Sequence, residues 1–134
     1  MSEFDAGVIF CDDVRVEGNG KHILIGVYPV DLVPNVIPST IPIALWIRVS
    51  GLAKGPHNFH VTLKPPAGAN PVHFNGQGET LQEGEAFLIV LAGLPIEMRG
   101  YGIMTAELSF DGGTQREVGS LKITQRTRAA EKPI

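Results

Sequence analysis

Charge is scarce in this chain. Asp, Glu, Lys and Arg make up 19% of its 134 residues, below the quarter usual for a globular domain. We expect a partner to cover part of so lightly charged a surface. Cysteine is nearly absent. Cys11 stands alone, which excludes an internal disulfide and with it a disulfide-stapled secreted fold. Long apolar runs are missing as well. Ala86 to Ile96 is the longest stretch and is broken by Gly93 and Pro95, whereas a membrane-spanning helix needs about twenty apolar residues. Basic charge does not accumulate. Eleven basic residues against fourteen acidic ones give a net charge of −3, which argues against a nucleic-acid-binding surface. The one basic cluster is Arg126, Arg128 and Lys132, expected to be a solvated tail.

The opening residues, MSEFDAGVIF, carry neither a basic leader nor a small-residue cleavage site, so no signal peptide is expected. The reading is a cytoplasmic protein with no membrane partner. Apolar residues reach 43%, enough for a core, and the length suits one domain. We expect a single domain over residues 1–126 and a flexible tail over 127–134.

What the chain has in quantity is two-residue alternation. Met104, Ala106, Leu108 and Phe110 fall on one side of a strand, and Thr105, Glu107 and Ser109 fall on the other. Asp111-Gly112-Gly113-Thr114 turns the chain, and alternation resumes toward Leu121 and Ile123. This predicts a hairpin with one apolar face. The inward phase changes between Val118 and Leu121, which predicts a bulge near Gly119.

The same grammar runs upstream. Gly7 to Asp13 reads as a strand that continues through Glu17 after a bulge, and His22 to Tyr28 returns after Gly18-Asn19-Gly20 with Ile23, Ile25 and Val27 on one face. Pro29, Pro34, Pro38 and Pro42 then mark a crossover along a sheet edge, because proline lacks a ladder donor. Ile43, Leu45, Ile47 and Val49 alternate with Trp46 and Arg48, and Phe59, Val61 and Leu63 alternate with His60, Thr62 and Lys64. Pro65 to Gly78 reads as a long loop with at most a short strand at Val72 to Phe74. Ala86 to Leu94 is apolar at every position, so both faces are expected to be buried. Either the proline-rich segment or another subunit would cover its outer face. About seven to nine strands, without a helix, predict a β-sandwich, with a barrel as the alternative.

Chemistry-bearing patterns are few. His57 and His60 are three apart, which on a strand puts them on opposite faces, and no Cys-x-x-Cys exists to support zinc. Asp12-Asp13 offers adjacent carboxylates for calcium, with Asp5, Asp31 and Asp111 as further oxygens. Calcium takes six to eight ligands, and the favoured reading is that Asp12 and Asp13 cap free backbone N–H groups at a turn. Gly18-Asn19-Gly20-Lys21 lacks the first glycine of a phosphate loop, and Gly76-Gln77-Gly78 lacks the third glycine of a dinucleotide fingerprint. No Gly-x-Ser-x-Gly occurs. Cys11 sits in an apolar strand, where a thiol is inert. No base and nucleophile pair, and no cofactor is implied.

Trp46 and Arg48 are the best recognition candidates, since both residue types are enriched at interface hot spots. The competing fate for Trp46 is packing beneath the proline-rich crossover.

Phe10-Cys11-Asp12-Asp13-Val14-Arg15, Gly20-Lys21 and Ile25-Gly26-Val27-Tyr28 form a CDD…GK…IGVY-like pattern. It resembles an uncharacterised bacterial β-sandwich family of unknown function. The closing hairpin resembles the last strands of immunoglobulin-like sandwiches. The resemblance implies fold and bacterial origin, and transfers no site residues.

The expectation is therefore an all-β, immunoglobulin-like antiparallel sandwich without enzymatic activity. It would act through protein–protein contact, including with itself as a homo-oligomer. Trp46, Arg48, Phe87, Ile89 and Leu91 are the candidate interface. A ligand or calcium site at Asp12, Asp13 and the 65–78 loop is the alternative.

Overall fold

The computed structural model describes residues 4–125. They form ten strands: β1 (Asp5–Cys11), β2 (Asp13–Val16), β3 (His22–Ile25), β4 (Asp31–Leu32), β5 (Ser39–Ser50), β6 (Gly55–Lys64), β7 (Val72–Thr80), β8 (Phe87–Met98), β9 (Gly102–Phe110) and β10 (Arg116–Ile123). Among the described residues there is no helix long and apolar enough to cross a membrane. The expected tail, residues 127–134, lies outside the described residues.

The strands build a sandwich. One sheet runs β1-β5-β8, the facing sheet runs β4-β10-β9-β6-β7, and β2-β3 form a separate two-stranded ribbon. Pairing is antiparallel throughout except where β4 joins β10 in parallel. The alternating positions read from the sequence meet between the sheets. Ile43, Leu45, Ile47, Val49, Ile89 and Leu91 face Val61, Leu63, Met104, Leu108, Leu121 and Ile123, all buried. Their removal from water is the main force holding the sheets together. The expected bulge near Gly119 is present, as a register shift between Glu117 and Gly119.

Four expectations need correction. The strand count rises to ten, because β4 is only two residues long and the first expected strand breaks at Asp12 into β1 and β2. β5 starts at Ser39, not Ile43, and takes in Pro42. Pro42 is tolerated because β1 pairs with β5 only from Ala44 onward, and its partner on β8 is Pro95. That part of β5 is an edge, where a missing donor costs little.

The 65–78 loop is mostly strand. β7 pairs with β6 from Leu63↔Val72 to Gly55↔Thr80. Its alternation is invisible in hydropathy because two of its inward positions are Gly76 and Gly78. Phe59 and Phe87 press their rings against the bare backbone there, and a Cβ on Gly78 would stand 2.8 Å from Phe87 Cζ.

β8 is the fourth correction. It is an edge strand, hydrogen-bonded to β5 alone, and only one of its faces is buried. Phe87, Ile89 and Leu91 point into the core, while Leu88 and Val90 are 43% and 36% exposed. An all-apolar strand arises here because its outer residues are apolar without being covered.

Candidate interaction surface

Register assigns the outer face of the β1-β5-β8 sheet residue by residue. Arg48 lies between Gly7 and Leu88, and Trp46 lies between Ile9 and Val90. Residues directly opposite across paired strands share a face. Trp46 and Arg48 are therefore brought together with Leu88 and Val90. Phe87, Ile89 and Leu91, named from sequence as interface residues, are core residues at 6%, 2% and 5% exposure, with side chains turned away from the outer face. The strand is the expected one, but the parity is reversed. An alternation argument has no purchase where every position is apolar, and only the pairing Trp46↔Val90 settles which set faces out.

Trp46 is half-buried, under a different cover from the one expected. The β2-β3 ribbon, not the proline-rich crossover, lies over it, and the indole Nε1–H donates to His22 Nδ1 at 2.9 Å. Ile23 and Ile25, read as one face of a strand, point away from the sheet at 43% and 41% exposure. Beside the ribbon, Gly7, Ile9, Trp46, Arg48 and Ser50 line an open groove of about 390 Å³. Arg48 is exposed.

The free edge of β8 adjoins this face. A register shift at Ile43/Leu45, with Gly93 at φ 71°, marks a bulge on β8. Pro95 follows. Bulges and prolines are the devices that blunt an edge, so the second half of β8 is protected and Phe87–Leu91 is not. Across from it, the edge of β7 contributes Phe74, 40% exposed. The two edges border a groove of about 480 Å³ floored by Phe59 and Phe87.

The aspartate pair has an internal role. Asp12 Oδ1 accepts from the Tyr28 hydroxyl at 2.6 Å, and Asp12 N–H donates to Ile25 and Gly26 carbonyls. Burial, then the Asp12 carboxylate, pushes the Tyr28 phenol up to about 12. Asp13 accepts from Val14 N–H at 2.8 Å and from Arg15 Nε at 2.9 Å, and the Arg15 hydrogen bond lowers its pKa. Asp31 is taken by Thr124, and Asp111 by Asn58 and His57. Among the described residues, no group of three or more His, Cys, Asp or Glu is placed to hold a metal. The calcium site drawn from sequence is thus not assembled. The capping reading holds for Asp13, which takes Val14 N–H, whereas the Asp12 carboxylate holds the Tyr28 hydroxyl instead of a backbone N–H. Cys11 is fully buried and its pKa is raised, chiefly by desolvation, which suits an inert thiol.

His57 points inward, opposite to His60 as its spacing requires. Its Nε2 meets the Ala53 carbonyl at 2.7 Å and its Nδ1 meets Asp111 at 3.0 Å. Both partners are acceptors, so both ring nitrogens carry protons. The Ala53 bond first, then Asp111, raises the His57 pKa.

A model of a family of unknown function matches residues 7–123. The chain belongs to that family, DUF6941. Membership bears out the resemblance to an uncharacterised family. The DUF6941 match covers nine of the ten strands in full and most of β1. No curated protein matches the chain.

Proposed function

We propose that this protein is a non-enzymatic interaction module that associates with a second copy of itself. The contact is the free Phe87–Leu91 edge of β8 together with the outer face carrying Leu88, Val90, Trp46 and Arg48. One observation carries the reading: two large apolar side chains, Leu88 and Val90, stand exposed on an edge strand that has no second strand partner among the described residues. Unpaired N–H and C=O groups on such an edge are a template for strand addition.

A second copy fits this edge because antiparallel pairing of β8 with itself around a two-fold axis is self-complementary. The low charge content supports burial of part of the surface, since interface cores are depleted in charge. We read the fold as an immunoglobulin-like sandwich in the bacterial cytoplasm, a setting that suits the lone reduced thiol.

Light scattering behind a sizing column, over a concentration series, tests this. A dimer or larger species is expected for the native chain, and L88K/V90K is expected to be a monomer that still unfolds in one cooperative transition, at a melting temperature that no longer depends on concentration. A native monomer at all concentrations refutes the proposal. So does an oligomer that survives L88K/V90K.

A further inference from the structure

We propose that His60 and His73 form a binding site for one transition-metal dication of the Zn²⁺, Ni²⁺ or Cu²⁺ class. The site lies on the outer face of the β4-β10-β9-β6-β7 sheet, away from the proposed interface. His60 is opposite Asn75, and His73 is opposite Thr62 on the adjacent pair of β6 and β7. The two histidines are therefore diagonal neighbours on one face, within reach of each other.

His60 Nε2 lies 3.2 Å from His73 Nδ1, with ring centroids 5.3 Å apart. Two nitrogens bound to one tetrahedral zinc at about 2.05 Å stand about 3.3 Å apart. The rings are thus already spaced as a pair of ligands. Asn75 Oδ1 contacts His60 Nδ1. A carbonyl accepts, so the proton sits on Nδ1 and the Nε2 lone pair faces His73. Histidines that ligate metals are commonly oriented in this way, by a hydrogen bond from the other ring nitrogen. His73 becomes a ligand when its Nδ1 proton is exchanged through solvent for one on Nε2, a change of tautomer with no net proton lost.

Two surroundings favour a cation. Gln115 Nε2 donates to Thr62 Oγ1 at 2.8 Å, and Thr62 Oγ1 is 3.1 Å from His73 Nδ1. Gln115 Oε1 is buried with no hydrogen-bond partner, and a metal-bound water is a donor that would satisfy it. The row His73, Thr62, Glu107, Glu117 crosses four strands of the sheet. Glu107 is paired with Lys64 at 3.1 Å, and Glu117 opposite it adds one further carboxylate to the row. That carboxylate favours a cation over an anion on this face. Imidazole nitrogen selects zinc, nickel or copper over calcium or magnesium. With only two protein ligands, water fills the remaining positions.

Isothermal titration of the full chain with zinc chloride, and separately with nickel chloride, tests the site at neutral pH. One metal per chain is expected, with affinity falling about tenfold or more in each of H60A and H73A. N75A is expected to weaken binding less, because Asn75 positions His60 without touching metal. His73 is exposed on an edge strand, so H73Q provides a folded variant if H60A is not. Zinc should also raise the melting temperature of the native chain and not of H73Q. No binding at millimolar metal, or binding unchanged by H73A and H73Q, overturns the proposal. The test reads metal, not mass, so it stands or falls independently of self-association.

Discussion

Replacing Asp111 by asparagine should cost stability in a pH-dependent way, because the residue closes an ion pair with the buried His57. His57 is 9% exposed and donates to both the Ala53 carbonyl and Asp111. Asp111, 50% exposed, also accepts from Asn58 N–H at 2.8 Å. The substituted side chain could keep the Asn58 bond through its amide oxygen. It would lose the charge, and its NH₂ could not accept from His57 Nδ1–H. A charged hydrogen bond contributes about 1.5–3 kcal/mol, and the exposure of Asp111 reduces this to roughly 1–2 kcal/mol.

The pH window follows from the two shifts. His57 is raised above 6.5, so its contribution is complete below that value and is lost as pH rises through the folded pKa. Asp111 is lowered below 3.8, so its contribution is complete above that value and is lost as pH falls through the folded pKa. The D111N penalty is therefore largest between those ordinary values and shrinks in alkali, where His57 is neutral in both proteins. Urea unfolding near about pH 5.5 should show D111N with a midpoint lower by roughly 0.5–1 M, and the gap should narrow near about pH 9. An equal gap at both pH values would refute the buried imidazolium.

Gly78→Ala should destabilise the fold by about 1–3 kcal/mol in urea melts, because its Cβ would stand 2.8 Å from Phe87 and force the ring to shift. A neutral effect would show that Phe87 moves freely. In a spectrophotometric titration, one of the two tyrosines should ionise at about 12, and Asp12→Asn should bring that step down. A single step at the ordinary phenol value would refute the Tyr28–Asp12 contact.

Sequence alone was sufficient wherever polar and apolar residues alternate without interruption. Met104 to Phe110 and Ile43 to Val49 place their larger aliphatic side chains on one face each, so period two dictated strands and parity, although Ala44 and Ser109 are buried on the opposite parity as well. The bulge near Gly119 followed from a phase error of one residue. Three features depended on tertiary contacts. In β7, glycines occupy inward positions because aromatic rings from β6 and β8 fill the space, so the pattern was carried by the neighbours. In β8, every residue in the first half is apolar, and only pairing with Trp46 and Arg48 separates buried Ile89 from exposed Val90. His60 and His73 lie thirteen apart in the chain, and no local spacing rule joins them. The β6–β7 register does, because pairing Thr62 with His73 and His60 with Asn75 sets the two rings on one diagonal, within a single hydrogen bond of each other. Periodicity is a local property of the chain, whereas the identity of the residue opposite is set by register, and the proposed interface and the proposed metal site both rest on register.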